Sequence, residues 1–147
     1  MVALLRDIVT HGPCGIHRTA LLHDGGCKQN MPDGMDCKMM LGRAKRAAVM
    51  IAQAAERMGI AEGIETAISA QQIFEIPVWS VGSGHGIAQF PVLPGIRHLT
   101  IFADYDEAGL RAAEECYWRY KNAGVPIEVR HPSTLGTDWN DYLREGA

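Results

Sequence analysis

The chain has no run of eighteen apolar residues, so no segment reads as a membrane-spanning helix, and no membrane partner is expected. Nor is a secretory leader expected: the apolar stretch in MVALLRDIVT is short and meets an acid early, at Asp7. The expected location is cytoplasmic. Four cysteines are present (Cys14, Cys27, Cys37 and Cys116), but no CxxC pair, which speaks against a zinc ribbon or a dithiol redox motif. Free thiols in a reducing compartment are the remaining reading. His11, Cys14, His17, His23 and Cys27 crowd the N-terminal stretch, yet their irregular spacing fits scattered loop residues better than a metal set. With no repeat and no low-complexity linker, 147 residues at 47% hydrophobic make one domain with a real core.

Positive charge is also scarce overall, the net charge being -3, which looks wrong for a nucleic-acid binder until it is divided along the chain. Residues 1–57 carry eight Lys/Arg against five acids, or +3, and residues 58–147 carry six against twelve, or -6. Within the first part, Lys38, Arg43, Lys45 and Arg46 form a basic strip in CKMMLGRAKR, a candidate phosphate contact or a solvated face. The expected division is an N-terminal extension over 1–57 and a second unit over 58–147.

From residue 58 short apolar runs alternate with helical stretches, the pattern of an α/β domain with a largely parallel sheet. MGIA (58–61) is a candidate strand leading into EGIETAISAQQIF, where Ile64, Ala67, Ile68 and Phe74 approximate a helical stripe. Pro77 ends that helix and PVWSV (77–81) reads as the next strand. After GSGHG (82–86), RHLTIFA (97–103) is the clearest strand, its unbroken apolar end suiting a buried central position. A helix from Glu107 to Ala123 follows, with Ala112, Ala113, Cys116 and Tyr120 on one face and Gly124 as its stop. PIEVR (126–130) is the last strand, and DWNDYLREG closes as a short helix. Earlier, IHRTALLHD (16–24) reads as a strand entering a turn at Asp24-Gly25-Gly26, and KQNMPDGMD has loop composition. The alanines of RAKRAAVMIAQAAER favour a helix.

FADYDEAG (102–109) sets Asp104 and Asp106 just past the central strand, with Glu107 beside them. Side chains two apart in an extended segment point to the same side, and open α/β sheets bind ligands at the carboxyl ends of their strands. Two such carboxylates repel unless a cation neutralises them, as magnesium does with oxygen ligands. The alternative is a helix N-cap, for which one aspartate suffices. Glu62, followed by Gly63, holds the equivalent place after the first strand of this unit. Alone it too reads as a cap; together, acids ending two parallel strands point to one rim.

AEGIETAISA (61–70), FADYDEAG (102–109) and GTDWNDYL (136–143), in that order, resemble the Toprim domain of primases, topoisomerases and some nucleases. The likeness is greatest to the Toprim-containing primase-like proteins of phages and plasmids, and GIHRT (15–19) and KMMLGR (38–43) extend it over nearly the whole chain. The resemblance implies a Toprim (Rossmann-like) domain with a mainly parallel four-stranded sheet flanked by helices, after a small irregular or β N-terminal extension. It implies Glu62 as a general acid/base or metal-linked residue and Asp104 and Asp106 as a pair binding Mg2+ (or Mn2+). Asp138 and Asp141 would border the same rim, although their spacing alone reads as a capping box. It also implies a short strand at Ala48 to Ile51, against the helical reading above.

The activity so implied is primase-type nucleotidyl or phosphoryl transfer, with single-stranded DNA, nucleotides and a polymerase or helicase partner subunit as its company. A Toprim nuclease and a non-catalytic nucleic-acid-binding protein are the alternatives, because neither a zinc module nor a basic polymerase subdomain is evident in the first 57 residues. Topoisomerase activity lacks a DNA gate and an identifiable tyrosine nucleophile. GSGHG lacks the third spaced glycine of a dinucleotide loop and reads as bordering the site, with His85 in it either a substrate contact or, the better reading, an exposed histidine without a role. A dehalogenase-type phosphatase also uses DxD after a strand, but here Glu62 precedes the pair and Lys121 sits in an ordinary helix position.

Overall fold

The computed structural model describes residues 1–23 and 36–145. The turn expected at Asp24-Gly25-Gly26, Cys27 and most of KQNMPDGMD lie outside the described residues. In chain order come β1 (Val2–Asp7), β2 (Pro13–Thr19), β3 (Lys38–Gly42), β4 (Ala47–Met50) and β5 (Arg57–Ala61). Then follow α1 (Ile64–Phe74), β6 (Val78–Ser80), α2 (Gly84–Ala88), β7 (His98–Phe102), α3 (Glu107–Asn122), β8 (Ile127–Arg130) and α4 (Trp139–Arg144).

The described strands form one mixed sheet in the order β3-β2-β1-β4-β6-β5-β7-β8. Its parallel half, β6-β5-β7-β8, is the four-stranded core that the motifs lead one to expect. Four N-terminal strands continue the same sheet antiparallel, β4 joining β1 to β6, so the whole is larger than four strands. Helices cover both faces of the parallel half, which is why β5 and β7 read as unbroken apolar runs. Met58, Ile60, Leu99 and Ile101 pack with Phe90, Cys116 and Tyr120 on the side of α2 and α3. Ala61, Val78 and Phe102 pack with Ala67, Ala70 and Trp139 on the side of α1 and α4. Gly59 is required between them: a Cβ there would lie 2.4 Å from the Phe102 ring.

Two local expectations need correction. Within RAKRAAVMIAQAAER, read as a helix from its alanines, residues Ala47–Met50 are instead the strand β4, close to the short strand that the resemblance implies at Ala48 to Ile51, with Ala47 and Ala48 buried between β1 and β6. Sheet pairing outweighs alanine's helix propensity, a difference of only tenths of a kcal/mol per residue, about 0.7 at most. On α1, Ile68 is exposed, and the buried face runs through Ile64, Thr66, Ala67, Ser69 and Ala70. The α3 face is as expected, with Ala112, Ala113, Cys116 and Tyr120 all buried. Burial pushes the Cys116 thiol up to about 12, which makes it a packing group rather than a nucleophile.

Candidate functional site

The register of β5 on β7 aligns Ala61 with Phe102, so the chain segments leaving both strands emerge side by side at the carboxyl rim of the parallel half. Glu62 follows β5 directly and Asp104 lies two residues past β7. Asp106 is the N-cap of α3, its Oδ1 accepting from Gly109 N at 2.7 Å. Gly109 must lack a side chain, since a Cβ would stand 2.6 Å from the Asp104 carbonyl oxygen. Asp138 is the N-cap of α4, and with Asp141 it forms a full capping box. Thr66 Oγ1 of α1 donates to Asp138 Oδ2 at 3.3 Å, tying that cap to the rim.

Capping therefore accounts for part of the acid cluster but not for its centre. Gly63, not Glu62, is the N-cap of α1, and no side chain caps that helix. Asp104 caps nothing: its Oδ1 is buried and has no hydrogen-bond partner. A buried, unsatisfied carboxylate oxygen is costly and calls for an unplaced partner. Burial foremost, then the charges of Glu62, Asp138 and Asp106, pushes the Asp104 carboxyl up to about 6, with Lys38 opposing. Burial first, then Asp106, raises Glu62 as well, while Lys38 and the Gly84 backbone N–H hold it down. Glu62, Asp104, Asp106 and Asp138 thus share one electrostatic neighbourhood.

Hard carboxylate oxygens around an orphaned acceptor match the donor chemistry of magnesium, which takes one or two carboxylates and fills its shell with water and phosphate. Among the described residues no three His, Cys, Asp or Glu side chains are gathered tightly enough to enclose an ion by themselves. Of the remaining acids, Asp141 is committed to its capping box, and Glu107 is exposed and paired with Arg111 at 2.9 Å.

The basic strip divides. Lys38, at the start of β3, reaches back to the acids and stands 3.9 Å from Glu65. Arg43 is paired with Asp7 at 2.6 Å. Lys45 and Arg46 line a cleft together with His85 and Arg119. The nearness of Lys38 to the acids, the tether from Thr66 and the place of Arg119 in the cleft are not written in local spacing, because each joins elements far apart in the chain.

An α/β domain with acids massed at the carboxyl rim of its parallel strands is the class that fold and site define. The Toprim domain family model matches residues 57–147, and the chain belongs to that family. Solved structures that it resembles include the primase fragment of the bacteriophage T7 primase-helicase protein, at 20% identity and TM-score 0.63, covering 99% of this chain and 58% of that one. The Aquifex aeolicus primase (zinc-binding and RNA polymerase domains) is similar at 14% identity and TM-score 0.67, with 99% and 36% covered. A DNA primase domain from Pseudomonas aeruginosa is similar at 13% identity and TM-score 0.58, with 98% and 53% covered. At such identities the likeness is one of fold, and this chain spans between about a third and three-fifths of those chains. No curated protein matches the sequence.

Proposed function

We propose that this chain is a primase-type Toprim domain performing magnesium-dependent nucleotidyl or phosphoryl transfer on nucleic acid, as part of a larger primase or as a subunit beside a polymerase or helicase. The observation that carries the reading is Asp104 Oδ1, buried and unpartnered among Glu62, Asp106 and Asp138. Magnesium or manganese held there supplies neutralisation of phosphate oxygens and orientation of nucleophile and leaving group. Asp104 and Asp106 are its ligands in this reading, with Asp138 and Asp141 fixing the rim behind them.

Glu62 moves the proton. Burial and the Asp106 charge shift its carboxyl toward neutrality, the direction a general acid/base requires. Lys38, Arg43, Lys45 and Arg46 offset the negative domain and draw in the polyanion. Single-stranded DNA is the favoured template, since one structure of this fold is a primase catalytic domain bound to it. A helicase is a fitting partner because the T7 relative is a primase-helicase. The cytoplasm is where such a domain would work.

Calorimetry of magnesium and manganese binding tests the site. Asp104→Asn/Asp106→Asn should weaken binding at least about tenfold, or 1.4 kcal/mol. Primer synthesis and cleavage on single-stranded DNA then separate the activities. Cleavage alone would transfer the site to a nuclease, and binding with neither activity would leave a nucleic-acid-binding domain or a subunit lacking its partner. Unaltered metal affinity in the double variant sinks the reading.

A further inference from the structure

The segments that carry the rim acids Asp104, Asp106 and Asp138 leave the sheet as two separate loops, and one residue ties them together. β7 makes its last bond to the neighbouring strand at Ala103, whose N–H donates to Arg130 O at 2.9 Å, and α3 begins only after its cap at Asp106. Between these points Tyr105 bonds twice to the loop before α4. Its N–H donates to Thr137 O at 3.1 Å, and Gly136 N donates to Tyr105 O at 2.8 Å. Asp138 directly follows Thr137, so this two-bond bridge joins the segment bearing Asp104 and Asp106 to the segment bearing Asp138.

The bridge opposes a repulsion. Asp104 lies among Glu62, Asp138 and Asp106, like charges that push the two segments apart. No hydrogen bond restrains its Oδ1, so the place of that oxygen depends on the backbone to either side. Two backbone bonds to a loop in which Leu135 and Gly136 are exposed are open to competing water and would fray on their own. The Tyr105 ring supplies the packing they lack. It is half-buried and stacks on His131, with ring centroids 4.1 Å apart and planes 24° from parallel. His131 is in turn held by the sheet: it is the first residue after β8, it precedes the fully buried Pro132, and its Nδ1 donates to Pro132 O at 2.8 Å. Neither capping nor cation binding by the flanking aspartates asks for an aromatic ring between them, so the stack needs a reason of its own.

We propose that Tyr105 and His131 are positioning residues: their ring stack, with the Tyr105 bridge to Gly136 and Thr137, holds the Asp104–Asp106 and Asp138 loops in register, so that the acids are gathered before a cation arrives. The purpose so assigned rests on the magnesium reading above, and the two residues act through the acids without touching ion or substrate. Ligands held by such outer supports bind more tightly because the cost of ordering them is met in folding. A stacked aromatic pair is worth a factor of about two to ten in an equilibrium, which sets the size of the effect.

Two measurements on the full chain test this, one with a cation and one without. In calorimetry of manganese alone, Tyr105→Ala and His131→Ala should each weaken binding about fivefold, whereas Tyr105→Phe, which keeps the ring, should stay within about twofold of the parent. Because both residues act through one stack, Tyr105→Ala/His131→Ala should lose little more than either single variant. In EDTA, amide hydrogen exchange at Gly136 should quicken about fivefold in both alanine variants while Ile60, in the middle of β5, exchanges as in the parent. That contrast separates a loosened rim from a loosened fold. If the parent binds neither manganese nor magnesium, the metal reading fails and the exchange at Gly136 alone decides the proposal. Unchanged exchange there overturns it, as do a Tyr105→Phe variant as weak as Tyr105→Ala and single losses of affinity that simply add. Full manganese affinity in Tyr105→Ala overturns it as well, since the acids would then gather without the stack.

Discussion

The two halves of the sheet are built on opposite terms. In the parallel half both faces are covered: Met58, Ile60, Leu99, Ile101 and Phe102 are fully buried, and the acids stand on its rim. In the antiparallel half, Val2 and Leu4 of β1 and Met39 and Leu41 of β3 lie exposed on one face, aligned across the strands by the pairs Val2↔Arg18↔Met39 and Leu4↔Ile16↔Leu41. Its other face turns inward. The end of the Met40 side chain lies where a Cβ on Gly82 would be, 2.8 Å from it, and Lys38 reaches Glu65. One half therefore supplies the packing that holds the domain together, and the other supplies the positive charge that the acid rim lacks.

The largest expected effect tests that division of stability. Phe102 is wedged against Gly59, Phe74 and Trp139, so Phe102→Ala opens a cavity and should cost about 3–5 kcal/mol. Leu41, at 67% exposure, should tolerate serine within about 0.5 kcal/mol. Urea midpoints of the two variants check this. Comparable losses would mean that the antiparallel half is as tightly packed as the parallel one.

A smaller effect concerns the acid rim itself. Burial, then Glu62, Asp138 and Asp106, hold the Asp104 carboxyl at about 6, above its ordinary 3.8. The folded state thus keeps this proton more tightly than the unfolded state. The contribution of this group to stability is fullest below about pH 4, is lost as pH rises through about 6, and levels off above that. Asp104→Asn removes the penalty, so in EDTA at pH 7.5 it should be more stable than the parent. The gain should be about 1–2 kcal/mol after allowance for solvent screening at a half-buried group, and should vanish by pH 4. A flat pH profile of the difference would show that the rim carries no stored repulsion.

What the sequence discloses of each half follows from the same contrast. Strands covered on both faces keep continuous apolar runs, so β5, β7 and the buried face of α3 are legible from composition and spacing. β4 is not: Ala47 and Ala48 carry a local helix preference, and only their place between β1 and β6 makes them a strand. The acids are legible in chain order because parallel topology sends every strand's carboxyl end to one rim. Their division of labour is hidden, since Asp106 and Asp138 are caps as well as rim acids while Asp104 is neither capping nor bonded at Oδ1. Hidden too is the return of Lys38 to that rim, which depends on the edge pairing of Thr19 with Lys38.

Lys38 gives the smallest change in stability and the sharpest test of how the halves cooperate. Its 3.9 Å pair with Glu65 involves two partly exposed side chains, so Lys38→Gln should alter the unfolding free energy by less than about 0.5 kcal/mol. Its charge nevertheless opposes the mutual repulsion at both Asp104 and Glu62. Removing it leaves the acid field uncompensated, and a divalent cation should then bind about threefold more tightly at low ionic strength, the gain shrinking as salt shortens the Debye length. If Lys38 contacts nucleic acid as proposed, affinity for that polyanion should move the other way. Were cation affinity to fall as well, Lys38 would be holding the acids in position rather than balancing their charge, and the antiparallel half would be part of the site's scaffold.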